Sequence, residues 1–361
     1  MRRGLLAWSE RETPKAALEA RVERVQEAMR DEGFDALLAY TNFPRPAAVS
    51  YLTHFIPYWN QGLMVMGQEG LPTLLVALSN RVRGWALETC HVEDVICTPR
   101  IGADAAKVVA GLLETDKPRI GVVEADRLPQ GLAQPFRSGI ANVVLEDATE
   151  LFTAARARAD DPEIALTRRA AMIADAALDE ARTGAFERAS PLIGAVERAA
   201  RMAAAEEVQI AIAPDLAADT EFRRLEGDEL LGEHFAVRAT VAYKGFWVRR
   251  IVSIARKGEP PAGWADAAAR FRETAASLGT GAELLKQVEG RLGALGWHAV
   301  APFGANPLGD YADHRGQYRK INAGSIVSLD VKLATTDGPW LGGGPILLAK
   351  ASDGASEPLF A

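Results

Sequence analysis

Apolar residues at Pro14, Leu18, Val22, Val25 and Met29 recur at helical spacing between Thr13 and Glu32, with Arg and Glu on the other face and Gly33 behind them. The spacing predicts an amphipathic helix closed by glycine. Short apolar runs follow at 36–40, 63–66 and 74–77, each bounded by Gly, Pro or Asn, with further runs at 119–123 and 142–145. Helical stretches are expected between them at 81–89 and 103–113, so residues 1 to about 150 read as an α/β layer domain.

From 150 to 205 the chain turns rich in Ala, Glu and Arg and poor in Gly and Pro, which predicts two long helices. The first opens at Asp160-Asp161-Pro162-Glu163, where Asp caps and Pro occupies the first turn. A domain boundary is placed between Ala154 and Asp161, giving domains 1–154 and 155–361. Beyond it, strand-like runs at 207–213, 235–243, 246–254 and 325–333, with a helix at 262–294, give an α+β second domain.

A length of 361 residues, 48% of them apolar and 25% charged, suits two packed domains and sets disorder aside. The formal charge is −7, from 41 basic and 48 acidic residues, with no Lys/Arg cluster among aromatics, so nucleic acid is not an expected partner. Cys90 and Cys97 are too few for a disulfide framework and lack CxxC spacing; they and His91 are read as packing within the first domain. Charged, helix-forming residues from Glu10 to Arg30 fit neither a signal peptide nor a membrane span, so the expected setting is the cytoplasm, with no membrane partner.

Several short stretches carry a resemblance. Thr41-Asn42 with Ser50-Tyr51-Leu52-Thr53, the helix from Arg156 to Ala176, and Tyr243-Lys244-Gly245-Phe246 resemble, in order, an N-terminal segment, a linker helix and a turn of the creatinase, aminopeptidase P and prolidase family. The resemblance implies a creatinase-type N-terminal domain, a C-terminal pita-bread domain and a homodimer in which one subunit's N-terminal domain borders the other's site.

Metalloenzymes of that family hold two divalent ions with two Asp, one His and two Glu, oxygen and imidazole donors suited to such cations. Carried over, the two Asp positions fall on Arg238 and Arg249, and a two-residue turn at Tyr243-Lys244 would set these arginines directly opposite each other on a hairpin. The first Glu position falls on Asp330. The second falls just before a last strand at 346–349, on Gly342-Gly343-Gly344. The loop 301–309, where the ligand His belongs, has none, and His298 and His314 are the nearest. No metal cofactor is therefore expected. Creatinase itself works without metal through a histidine base upstream of the hairpin, but 212–232 holds no histidine and His234 opens the first hairpin strand.

Opposed guanidinium groups call for an anion between them. Asp330 is one source; a ligand carboxylate or phosphate, bound bidentately, is the other. Arg250 points to the opposite face and reads as a solvated charge. The stretch His54-Phe55-Ile56-Pro57-Tyr58-Trp59-Asn60-Gln61 suits either a planar or amide-bearing ligand, contacted by Phe55, Tyr58 and Trp59, or a dimer interface packed with aromatics.

The expected function is a metal-independent hydrolase or lyase acting on a C–N bond of a small anionic or amide compound. Arg238, Arg249 and Asp330 would form its binding site, and His234, His54 or His314 would move the proton. The alternative is a non-catalytic protein that binds a ligand or serves, in a heteromer, as the regulatory partner of an active paralogue. A metallopeptidase using Asp310, Asp313, His314 and Asp330 is the third reading, and those residues do not reproduce the facing-strand geometry.

Overall fold

The computed structural model describes residues 8–42, 47–57, 60–223, 228–279, 298–302, 323–350 and 354–360. The chain divides into two compact units, residues 2–156 and 157–361. Among the described residues no helix is long and apolar enough to cross a membrane.

In the first unit the predicted stripe forms helix α1 (Lys15–Glu32), which buries Leu18, Val22, Val25 and Met29 and ends where Gly33 takes φ 72°. The strands are β1 (Ala36–Asn42), β2 (Gln61–Gly67), β3 (Thr73–Val76), β4 (Asp94–Cys97), β5 (Arg119–Val123) and β6 (Val144–Asp147). They form one sheet in the order β4-β3-β2-β1-β5-β6. Only β1/β2 and β2/β3 are antiparallel; the parallel pairs are joined through helices, as such crossovers require. Helices α2 (Ala47–Thr53), α3 (Arg83–Glu88), α4 (Ile101–Ala110), α5 (Gln130–Ser138) and α6 (Thr149–Arg156) complete the unit. With both sheet faces buried, the apolar runs are continuous: Leu37 and Met64 enter one core, Leu38 and Leu63 the other. Strand β4 and helices α2 and α5 had no clear sequence signal. Strand β4 offers only Val95 and Ile96 between polar residues, and α5 carries Pro135 inside it.

Cys90 is 3% exposed, and burial pushes its thiol up to about 12; burial also raises the half-buried Cys97. Iodoacetamide at pH 8 should therefore leave Cys90 unmodified in the folded protein and label Cys97 first, with both labelled in guanidinium, as read by intact mass.

The second unit opens with α7 (Asp161–Thr183). The Asp160 carboxylate accepts from the Glu163 amide and the Glu163 carboxylate from the Asp160 amide, a capping box with Pro162 in the first turn. Next come α8 (Ala189–Met202), β7 (Glu207–Ala213), β8 (His234–Tyr243), β9 (Phe246–Ala255), α9 (Ala262–Ala276), β10 (His298–Pro302), β11 (Ile326–Thr335), β12 (Gly338–Leu347) and β13 (Glu357–Pro358). The sheet runs β10-β11-β12-β9-β8-β7, with β13 added on β12, and all its pairs are antiparallel. The strand carrying the three glycines begins at Gly338, not at 346. The helix expected over 262–294 runs from Ala262 to Ala276, and the rest of that range, from 280, lies outside the described residues.

Alternation along the strands separates two faces. Val208, Ile212, Val237, Val241, Val248 and Val252 pack with α7 and α8 in one core. The other face carries the site.

The β8/β9 turn corrects one expectation. Its central residues are Lys244 and Gly245, with φ 50° and 79°, flanked by the pair Tyr243↔Phe246. A two-residue hairpin favours left-handed φ at both central positions, which glycine takes freely and a bulky Tyr243 would resist. The buried Glu206 carboxylate fixes this choice by accepting from the Lys244 amide at 2.5 Å and the Gly245 amide at 3.1 Å. The shift sets Arg238 opposite Ile251 and Arg249 opposite Thr240. The two arginines still share a face, but as diagonal neighbours, with Cα atoms about 7–8 Å apart.

Candidate anion site on the β8–β9–β12–β11 face

One register line crosses four strands: Arg238 faces Ile251 on β9, Ile251 pairs with Gly343 on β12, and Gly343 faces Asp330 on β11. Paired residues share a face, so Arg238, Arg249 and Asp330 are brought to one side of the sheet by backbone pairing alone. Arg249 and Asp330 are 6% and 1% exposed, and Nη1 of Arg249 donates to Oδ2 of Asp330 at 3.2 Å. Ser328, two residues earlier on the same face, lies 3.4 Å from the other carboxylate oxygen. Burial pushes the Asp330 carboxyl above its ordinary range, while the charge and hydrogen bond of Arg249, the charge of Arg238 and the Ser328 hydroxyl pull it back.

Gly343 makes room for this pair: a Cβ there would stand 2.7 Å from Oδ1 of Asp330 and 3.1 Å from Cδ1 of Ile251. Its neighbours Gly342 and Gly344 are held small from the other side, by the ring of Trp340 and by Phe360 with Nη1 of Arg250. Arg250 is 4% exposed, so the expectation of a solvated charge is corrected, although it does point to the opposite face. Its Nε donates to Asp175 of α7 at 2.7 Å, its Nη1 to the Gly343 carbonyl, and its guanidinium lies 4.0 Å from the Phe360 ring centroid.

The half-buried Arg238 has its guanidinium over the ring of Phe222, 4.9 Å from the centroid. Lys332, two residues beyond Asp330 on the same face, donates to the hydroxyl of Thr220. The segment Thr220–Arg223 is thus fastened over this face at both ends. Sequence reasoning missed Phe222, because nothing in a loop phenylalanine announces which strand it will cover.

The histidines are dispersed. His234 shares the Arg238 face but sits four residues earlier, roughly 13 Å along the strand, with its ring 5.0 Å from that of Trp264. His54, 6% exposed with φ 65°, belongs to the other compact unit, as does Phe55. Phe55, expected beside a ligand, is instead a core residue there at 2% exposure. His314, Tyr58 and Trp59 lie outside the described residues, as do Asp310 and Asp313. His91 contacts Glu19 at 2.9 Å and stacks on Trp8.

Among the described residues no group of three or more His, Cys, Asp or Glu is placed to hold a metal ion. Guanidinium groups are donors only and Gly343 offers no side chain, so the described residues of this face do not fit a two-cation centre.

A first unit whose sheet is covered on both faces, followed by a sheet backed by helices on one face with the site on the other, matches the two-domain fold of the prolidases. Residues 21–158 match the model of the Creatinase/Prolidase N-terminal domain family. The chain is similar in structure to the prolidase from Pyrococcus horikoshii OT3, with a TM-score of 0.72 and 16% identity, over 95% of this chain and 98% of that one. An Xaa-Pro dipeptidase from Bacillus anthracis gives 0.68 and 17%, over 95% and 97%. Proline aminopeptidase P II from Yersinia pestis gives 0.72 and 12%, over 95% and 96%. Identities this low establish a common fold, with the pita-bread unit as its second half. No curated protein sequence matches the chain.

Proposed function

We propose that this chain is a metal-independent pita-bread protein that binds a small carboxylate- or phosphate-bearing compound at the Arg238/Arg249 face. The observation that carries the reading is the buried Arg249–Asp330 pair: guanidinium and carboxylate neutralise each other where, by the family resemblance, two cations would be ligated. With Arg249 committed to Asp330, Arg238 on the same face is the guanidinium proposed to meet a ligand carboxylate or phosphate. Binding without turnover is placed first because His234, the hairpin histidine, sits four residues before Arg238 with its ring against Trp264. Hydrolysis of a C–N bond is the second reading, favoured by Lys332 and Thr220, which place an amine and a hydroxyl in hydrogen-bond contact on the same face.

The test is metal analysis of purified protein, followed by assay of glycyl-proline hydrolysis with added Mn²⁺, Co²⁺ or Zn²⁺ and calorimetric titration with inorganic phosphate and N-acetylglycine. The expected outcome is substoichiometric metal, hydrolysis at background with every ion, and saturable binding of at least one anion that is lost in Arg238→Ala. Stoichiometric metal with stimulated hydrolysis would overturn the reading, as would anion binding unaffected by Arg238→Ala. Turnover of N-acetylglycine without metal would select the hydrolase.

A further inference from the structure

Lys332 stands on the site face of β11, two residues beyond Asp330 and about 7 Å from it along the strand. Its ammonium donates to the Thr220 hydroxyl, a neutral partner. The acids beside these two residues are committed elsewhere: Asp330 holds Arg249, and Asp219 accepts from Arg223 at 2.9 Å and from the Glu221 amide at 3.0 Å. The Arg223 and Glu221 bonds lead in holding the Asp219 carboxyl below its ordinary range, and the charge of Lys332 contributes least. We propose that Lys332 and Thr220 together cradle the oxyanion of a ligand, a phosphate or a carboxylate; this rests on the anion binding proposed for this face. The pair that would supply chemistry in the hydrolase reading supplies donors here.

The donor inventory supports the cradle. An ammonium has three N–H donors and no acceptor, so the bond to Thr220 uses one and leaves two. Thr220 accepts from a group that can only donate, so its own hydroxyl proton is directed to another acceptor. Among the described residues that hydroxyl donates to no protein group. An oxyanion accepts from both groups at once, and the ammonium polarises the hydroxyl into a stronger donor. Lysine acts as a point charge with rotatable donors, so the cradle selects for negative charge without demanding a planar ligand geometry. Thr220 is also held in place on folding. Residue 223 is bonded to β7 in both directions, Ile212 amide to Arg223 carbonyl and Arg223 amide to Ile212 carbonyl, each 3.1 Å, and the Asp219 bonds set the bend of the segment. Little further ordering of that backbone is then needed when a ligand arrives.

The test titrates the full chain with inorganic phosphate and, separately, with N-acetylglycine, in Lys332→Met, Lys332→Gln, Thr220→Val and Thr220→Ser beside Arg238→Ala, each checked for its denaturation midpoint. Loss of the ammonium should weaken binding of whichever anion the parent takes by about ten- to a hundredfold, the range for a hydrogen bond to a charged group. Thr220→Val keeps the charge and should weaken binding about fivefold, while Thr220→Ser should stay within about threefold of the parent. Saturating anion should also shield Lys332 from acetic anhydride, read by peptide mass mapping, and leave labelling of the exposed Lys107 unchanged, a signal that a merely structural tie does not give. Unchanged affinity in both Lys332 variants, equal losses in Lys332→Met and Thr220→Val, or no shielding of Lys332 would overturn the cradle, while the loss in Arg238→Ala preserved the reading of the face. Binding lost in Lys332→Met but retained in Arg238→Ala would support the cradle and overturn the placement at Arg238. Absence of binding from the parent would overturn both.

Discussion

Replacing Arg249 with methionine is expected to destabilise the second unit by about 3–5 kcal/mol near neutral pH, because it strands a buried carboxylate. Asp330 is 1% exposed and carries its hydrogen bond to Arg249 in a site where burial already pushes its carboxyl upward. Without Arg249, the leading charge that opposes burial is gone and the carboxyl rises further. A group whose folded value lies above its unfolded value stabilises the fold fully below the unfolded value, about 3.9 for Asp, and that contribution is lost as pH rises through the folded value. The penalty of Arg249→Met should therefore be greatest at neutral and alkaline pH and shrink on acidification. Urea denaturation at several pH values checks this, and a pH-independent penalty would refute the account. Adding Asp330→Asn should recover most of the loss, since two neutral residues need no charge partner.

The second large effect is expected at Arg250. Three separate restraints meet on its guanidinium: the Asp175 carboxylate, the Gly343 carbonyl and the Phe360 ring. Arg250→Ala removes all three and leaves the Asp175 carboxylate, 13% exposed, without that cation, for a cost of about 3–5 kcal/mol. Arg250→Lys should recover less than half of it. An ammonium on a flexible stem cannot donate along two fixed directions while lying flat on a ring. Chemical denaturation of the three proteins measures the difference, and full recovery by lysine would show that charge alone matters.

Much of this architecture was legible from the chain itself. Strands β5 and β7 fall on their apolar runs, α7 opens at its capping residues, and Arg238, Arg249 and Asp330 gather on one face as alternation requires. What escaped was set by tertiary context. Turn position depended on left-handed φ at Lys244-Gly245 and on Glu206, 38 residues before Lys244, reaching back to cap it. Arg250 looked solvated because α7, the Gly343 carbonyl and Phe360, all far in sequence, make its environment. Phe222 was invisible because a loop reveals its covering partner only once folded.

Gly343 carries a last consequence. Since a Cβ at this position would fall 2.7 Å from an oxygen of Asp330, an engineer wishing to install a carboxylate there must first shorten or move Asp330, and moving Asp330 strands Arg249. The three positions behave as one interlocked unit. Converting this face to cation binding therefore calls for changing Asp330 and Arg249 together, since either change alone strands a buried charge.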